Sequence, residues 1–125
     1  MTSGIIKKTV FMIPFDQGDI ILIPFPFTDF STFKQRPAVV FSSASFNNSH
    51  DDIIAMAITS QIPKIISNDE FLLNKEEVRL ANLPKPSLVK IGKITTINKI
   101  LIRKKLGTLP DSTIEKLKSL FFKII

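Results

Sequence analysis

The chain offers few of the side chains that usually carry catalysis. It has no cysteine and one histidine, His50, set in the polar stretch NNSHDD. Without cysteine there is no thiolate nucleophile, disulfide or cysteine-based zinc site. One histidine per chain cannot supply both the acid and the base of a two-histidine ribonuclease. His50 with Asp51 and Asp52 suggests a metal-ligand set, but adjacent loop residues rarely converge on one ion without further ligands, and a solvated loop is the simpler reading. The four glycines are isolated, so there is neither a P-loop nor a GxGxxG motif. No cofactor and no metal are expected. What the chain does concentrate is aromatic and polar side chains in the stretch FPFTDFSTFKQR, where Phe25, Phe27, Phe30 and Phe33 lie with Thr28, Lys34 and Gln35. Unstacked bases bind aromatic faces beside basic side chains, which makes Phe27, Thr28, Lys34 and Gln35 candidate contacts for a single strand. Most of the eleven phenylalanines must nevertheless fill the core, because there is no Tyr or Trp to share that work.

Charge points the same way. The 125-residue chain carries a formal net charge of +6, unevenly spread. From Pro84 to Ile125 there are ten Lys or Arg against Asp111 and Glu115, a balance of +8, while the remainder carries seven against nine. A basic half attracts polyanions, either nucleic acid or an acidic protein, although a solvated basic surface has the same composition. The stretch MTSGIIKKTVFMIPF has lysines in its middle and no long apolar run, so it does not read as a signal peptide. No apolar run reaches the roughly 18–20 residues that span a bilayer. These features predict a soluble, cytoplasmic protein.

The elements that must position these residues are mostly short strands. Asp19–Pro24 and Pro37–Ser42 are β-branched runs of strand length, joined by a long polar loop rather than a tight turn. Ile53–Ser60 is apolar enough for a strand buried on both faces. Asp69–Leu73 reads as a short strand and Lys75–Leu80 as a turn of helix. Ser87–Ile91 and Ile94–Ile97 read as strands broken by Gly92, and Ile100–Leu106 alternates less cleanly. At the C-terminus Ile114, Leu117, Leu120, Phe121 and Ile124 recur at helical spacing, and Ser112-Thr113-Ile114-Glu115 fits a capping box behind Pro110. Many short strands followed by one helix predict a compact barrel with helices outside it. Residues 1–17 read as an extension and 18–125 as one domain with no internal linker.

The ordered set GDIILIPFPFTDF, KQRPAVVFSS, IIAMAITSQ, LPKPSLVKIGKITTINK and LGTLP before a final helix resembles the PemK/MazF toxin family from Gly18 to the C-terminus. The resemblance implies a mostly β (α+β) fold: a small, strongly twisted, SH3-like antiparallel barrel with short helices and a C-terminal helix. It implies a homodimer that cleaves single-stranded RNA without a metal, paired with an acidic antitoxin. It also implies catalytic roles for Arg36, which opens a strand in KQRPAVV, and Thr59, which closes one in AITSQ. Ser60, Gln61 and Lys93 stand near matched motif positions as RNA contacts. The chain departs from many members in having Phe33 and Gln35 before the Arg-Pro pair, and in its longer extension.

Those residue types suit the implied chemistry. A guanidinium fork matches phosphate oxygens bidentately, and a threonine hydroxyl donates another hydrogen bond to the same group. Arginine, with an ordinary pKa above about 12, is better suited to stabilising charge than to accepting a proton. Apart from the resemblance, Arg36 reads as a strand-end residue paired with Asp29, and Thr59 as a β-branched strand residue. Two other functions share the fold: a CcdB-like toxin that binds a protein target such as gyrase, and a catalytically silent nucleic-acid-binding barrel.

Overall fold

The computed structural model describes residues 14–26 and 33–125. Within them six strands form one antiparallel sheet: β1 (Asp19–Pro26), β2 (Phe33–Val40), β3 (Asp52–Thr59), β4 (Glu70–Leu72), β5 (Leu88–Asn98) and β6 (Lys104–Thr108). Their order across the sheet is β4-β5-β3-β2-β1-β6. Among the described residues three helices accompany them: α1 (Ala44–Ser49), α2 (Lys75–Leu80) and α3 (Asp111–Ile124). No helix of the described residues is long and apolar enough to cross a membrane.

The sheet has two buried faces because its central strands are apolar at successive positions, not alternate ones. On one face Ile20, Val39, Met56, Ile58, Val89 and Ile91 meet Leu109, Ile114 and Leu117 from the chain's last segment. On the other, Ile21, Ile23, Ala38, Val40, Ile53, Ala55 and Ile97 form a second cluster with Phe15. β3 contributes to both faces, as a central strand must.

The second face is covered by a crossover. β5 ends beside β3 at Asn98↔Asp52, and β6 begins beside β1 at Lys104↔Leu22, with β3, β2 and β1 lying between them in the sheet. The connection, including a 3-10 turn at Lys99–Leu101, therefore traverses one face, and Ile102 packs on the second cluster as it passes. Lys99 anchors its start: its N–H donates to Asp51 O and its ammonium to Asn47 O. Arg103 N–H donates to Leu22 O at 2.8 Å and ties down its end.

The predicted barrel is an open sheet. Among the described residues the edge strands β4 and β6 do not pair with each other. The end of α2 lies against β6 instead: a Cβ on Gly107 would stand 2.3 Å from Leu80 O and 2.7 Å from the Ala81 carbonyl carbon. Gly18, at φ +98°, turns the chain into β1 where only glycine is unstrained, and its C=O accepts from Leu109 N–H at 2.9 Å.

Several local expectations change. β5 is one strand, and the break foreseen at Gly92 is a bulge: its pairing with β3 jumps from Ala57↔Lys90 to Met56↔Ile94. The capping box belongs to α2, where Asn74 Oδ1 accepts from Glu77 N–H and Glu77 Oε1 from Asn74 N–H, both at 2.8 Å. α3 is capped by Pro110 with no side-chain bond, because it begins at Asp111 and leaves Ser112 inside the first turn. The polar stretch before His50 forms α1, with Ser43 Oγ accepting from Phe46 N–H at 3.1 Å.

Candidate active site

β2 is paired differently on its two sides. Its ladder with β1 runs from Ile20↔Val39 to Pro26↔Phe33. Its ladder with β3 holds Val40↔Ala55, Val39↔Met56 and Ala38↔Ala57, then stops. Continued two residues further, the same register sets Arg36 opposite Thr59. By strand alternation both share the face of Ala38 and Ala57, beside the second apolar cluster. Both are half-buried. Arg36 and Thr59 thus lie on one face of the sheet, just past the last pair of the β2–β3 ladder.

Thr59 is oriented locally. Its Oγ1 accepts from Gln61 N–H at 3.1 Å, which uses an oxygen lone pair and leaves the hydroxyl proton able to donate elsewhere. On the side of β5, the row of opposed residues runs Ala38, Ala57, Lys90, Glu70. Lys90 therefore lies on the same face as Arg36 and Thr59. Its ammonium is held 2.7 Å from Glu70 Oε2. That hydrogen bond, with those from Ser67, lowers the Glu70 carboxyl from 4.5 to about 2. On the side of β1, Ile23 pairs with Arg36, and the exposed Arg103 is fastened to the neighbouring Leu22.

The remaining sequence candidates are distributed unevenly. Lys34 is exposed and two residues before Arg36, so it shares that residue's face of β2. Gln35 is exposed on the opposite face and is not brought to the same place. Ser60 and Gln61 are exposed just past β3. Lys93 is exposed in the β5 bulge. Phe27 and Thr28, like Asp29 and Phe30, lie outside the described residues. His50 is exposed, with its ring stacked on Phe46 at 4.0 Å. Among the described residues no group of three or more His, Asp or Glu is placed to hold a metal ion.

Sequence reasoning missed Lys90 and Arg103. Neither had a signal in the sequence: Lys90 reaches this face through the pairing of β5 with β3, and the place of Arg103 depends on where the crossover lands.

Solved structures share this fold. One described as an endoribonuclease from Mycobacterial species is 17% identical, with a TM-score of 0.70 over 90% of this chain and 92% of that one. A MazE-MazF structure from Deinococcus radiodurans is 18% identical, with a TM-score of 0.71 over 90% and 96%. A mycobacterial endoribonuclease in complex with its cognate antitoxin is 16% identical, with a TM-score of 0.69 over 86% and 91%. No curated protein matches by sequence. Identities this low speak for the fold alone. The family pattern of PemK-like, MazF-like toxins of type II toxin-antitoxin systems, however, matches residues 16–125, from the turn before β1 through the last helix. A match over nearly the whole chain settles its kinship: the chain belongs to the PemK-like, MazF-like toxin family.

Proposed function

We propose that the chain is a toxin endoribonuclease that cleaves single-stranded RNA at preferred short sequences, with Arg36 and Thr59 binding the scissile phosphoryl group. The observation that supports this reading is the β2–β3 register, whose continuation past Ala38↔Ala57 would bring Arg36 beside Thr59. RNA contains its own nucleophile. The 2′-oxygen attacks the adjacent phosphorus as its proton leaves to solvent. The P–O5′ bond then breaks, giving a 2′,3′-cyclic phosphate, and the released 5′-oxygen takes up a proton to become a hydroxyl. The protein's work is to align the attack and meet the charge on the phosphorane. Arg36 supplies a planar fork for two oxygens and Thr59 a further donor. No bound metal ion is required for those tasks.

Two copies side by side would give RNA a longer track, and the exposed Phe122 and Ile125 at the end of α3 offer apolar surface to a second copy. An acidic antitoxin would compete with RNA for the same surface, matching the basic balance of residues 84–125. Light scattering should give twice the 14.1 kDa chain mass.

The test is to incubate the purified protein with a long RNA, map the new 5′ ends and identify the termini. Cyclic phosphates, 5′-hydroxyls, indifference to excess EDTA and resistance of a strand bearing 2′-deoxy at the cleavage site are expected. Activity lost in EDTA and restored by magnesium would overturn the mechanism. RNA bound but left whole would favour the catalytically silent barrel.

A further inference from the structure

We infer that Lys90 binds the RNA phosphate next to the scissile one, and that Glu70 holds its ammonium in the phosphate's place until RNA arrives. The inference rests on the nuclease reading above and adds a substrate-binding residue to it. It starts from the row of opposed residues Ala38, Ala57, Lys90, Glu70. Paired residues share a face, so Lys90 stands on the face that carries Arg36 and Thr59. Lys90 pairs with Ala57, which makes Thr59 its diagonal neighbour on β3. Diagonal neighbours lie about 7–8 Å apart, within reach of a long side chain. Between Lys90 and β1 the row holds only Ala57 and Ala38, so no bulky side chain of that row separates the lysine from Arg36.

Packing does not account for the ion pair. The neighbours of Lys90 along β5, Leu88, Val89 and Ile91, are all buried. An apolar residue at position 90 would suit such a strand equally well, since the desolvation of a half-buried ion pair offsets much of its attraction. The lysine is the partner that a ligand can reach: its side chain is 28% exposed against 8% for Glu70. Among the described residues its ammonium gives one hydrogen bond, to Glu70 Oε2 at 2.7 Å, of the three it can donate. The carboxylate is fixed independently, because Glu70 Oε1 accepts from Ser67 N–H at 3.0 Å. Glu70 therefore stays bonded when the lysine turns away on its flexible stem. Carboxylate and phosphate oxygens offer an ammonium the same kind of charged acceptor, so the two compete for Lys90.

The experiment measures, over a range of salt, the binding of an RNA made uncleavable by 2′-deoxy at its mapped cleavage site. The proteins compared are wild type, Lys90→Met, Glu70→Gln and the double variant. Lys90→Met should weaken binding about tenfold and lower the slope of log affinity against log salt by about 0.7, the share of one single-strand phosphate contact. Glu70→Gln should strengthen binding several-fold, because it removes the competing anion and keeps the shape. That gain should vanish in the double variant. A purely structural ion pair predicts otherwise: both single substitutions break it, so both would shift binding in the same direction. If Lys90→Met does not fold, Glu70→Gln decides alone, and binding equal to or weaker than wild type overturns the inference. Wild type that cleaves RNA, together with a Lys90→Met variant of unchanged affinity and salt slope, overturns this inference alone. Wild type that cleaves no RNA overturns the nuclease reading and this inference with it.

Discussion

Thr113 Oγ1 donates to Glu77 Oε2 at 2.5 Å, joining the first turn of α3 to the capping box of α2. Both residues are buried, and the other oxygen of Glu77 accepts from Asn74 N–H. The two helices that cover the first apolar cluster are thus locked through one carboxylate. Thr113→Val keeps the shape and removes the donor. It should cost about 1–3 kcal/mol, the usual penalty for stranding a buried acceptor. Thr113→Ser should recover most of that loss, as denaturant unfolding will show.

Gly107→Ala tests how closely α2 meets the edge strand. The added methyl would run into Leu80 O and the Ala81 backbone, neither of which can swing aside as a side-chain end can. A loss of roughly 1–3 kcal/mol is expected, in line with overpacking at a rigid contact. A melting temperature equal to wild type would show that the α2–β6 contact is looser than described.

Arg36→Ala should reduce RNA cleavage by about a hundredfold or more, as for the loss of one preorganised charge donor. Arg36→Lys should recover little, because a point charge does not reproduce the fork. Thr59→Ser should retain more activity than Thr59→Val, which removes the donor. Single-turnover cleavage of a mapped RNA measures all three, and full activity of Arg36→Ala would remove that residue from the mechanism.

The Glu70–Lys90 pair should leave a mark on acid stability. Its hydrogen bonds hold the Glu70 carboxyl down from 4.5 to about 2. A depressed carboxyl stabilises the fold fully above its unfolded value, and that stabilisation fades as pH falls toward the folded one. Lys90→Met removes the largest cause of the shift. The variant's melting temperature should therefore depend less on pH than the wild type's between about pH 5 and about pH 2. Parallel curves would show that the ion pair contributes nothing to folding.

Much of the architecture could be read from local pattern. β1 and β3 are largely continuous apolar runs because both of their faces are buried, and α3 shows its helical period because only one of its faces is. α1 escaped notice: six residues capped by Ser43 carry no apolar stripe to detect. Ser112 matched a capping pattern but lies within the helix, since Pro110 already ends the preceding turn. The site was legible only in part. Arg36 and Thr59 stand at strand ends in the sequence, but what brings their strands side by side is pairing between segments some twenty residues apart, which no local pattern encodes. Gln35 looked like a companion of Lys34 because the two are adjacent in sequence. Adjacency in a strand means opposite faces.

The crossover that covers the second cluster also sets an order of events during folding. β1 cannot complete its pairing until β6 arrives, and Thr108, whose hydroxyl donates to Asp19 at 3.1 Å, is 89 residues further along the chain. Contacts that close so long a loop form slowly, and until they do an apolar strand edge stays uncovered. On the ribosome, Arg36 and Thr59 emerge long before the segment that seals the face beside them. A nascent chain halted before Lys104 would therefore hold both residues without the framework that sets them, and would expose the edge by which unfinished sheets associate.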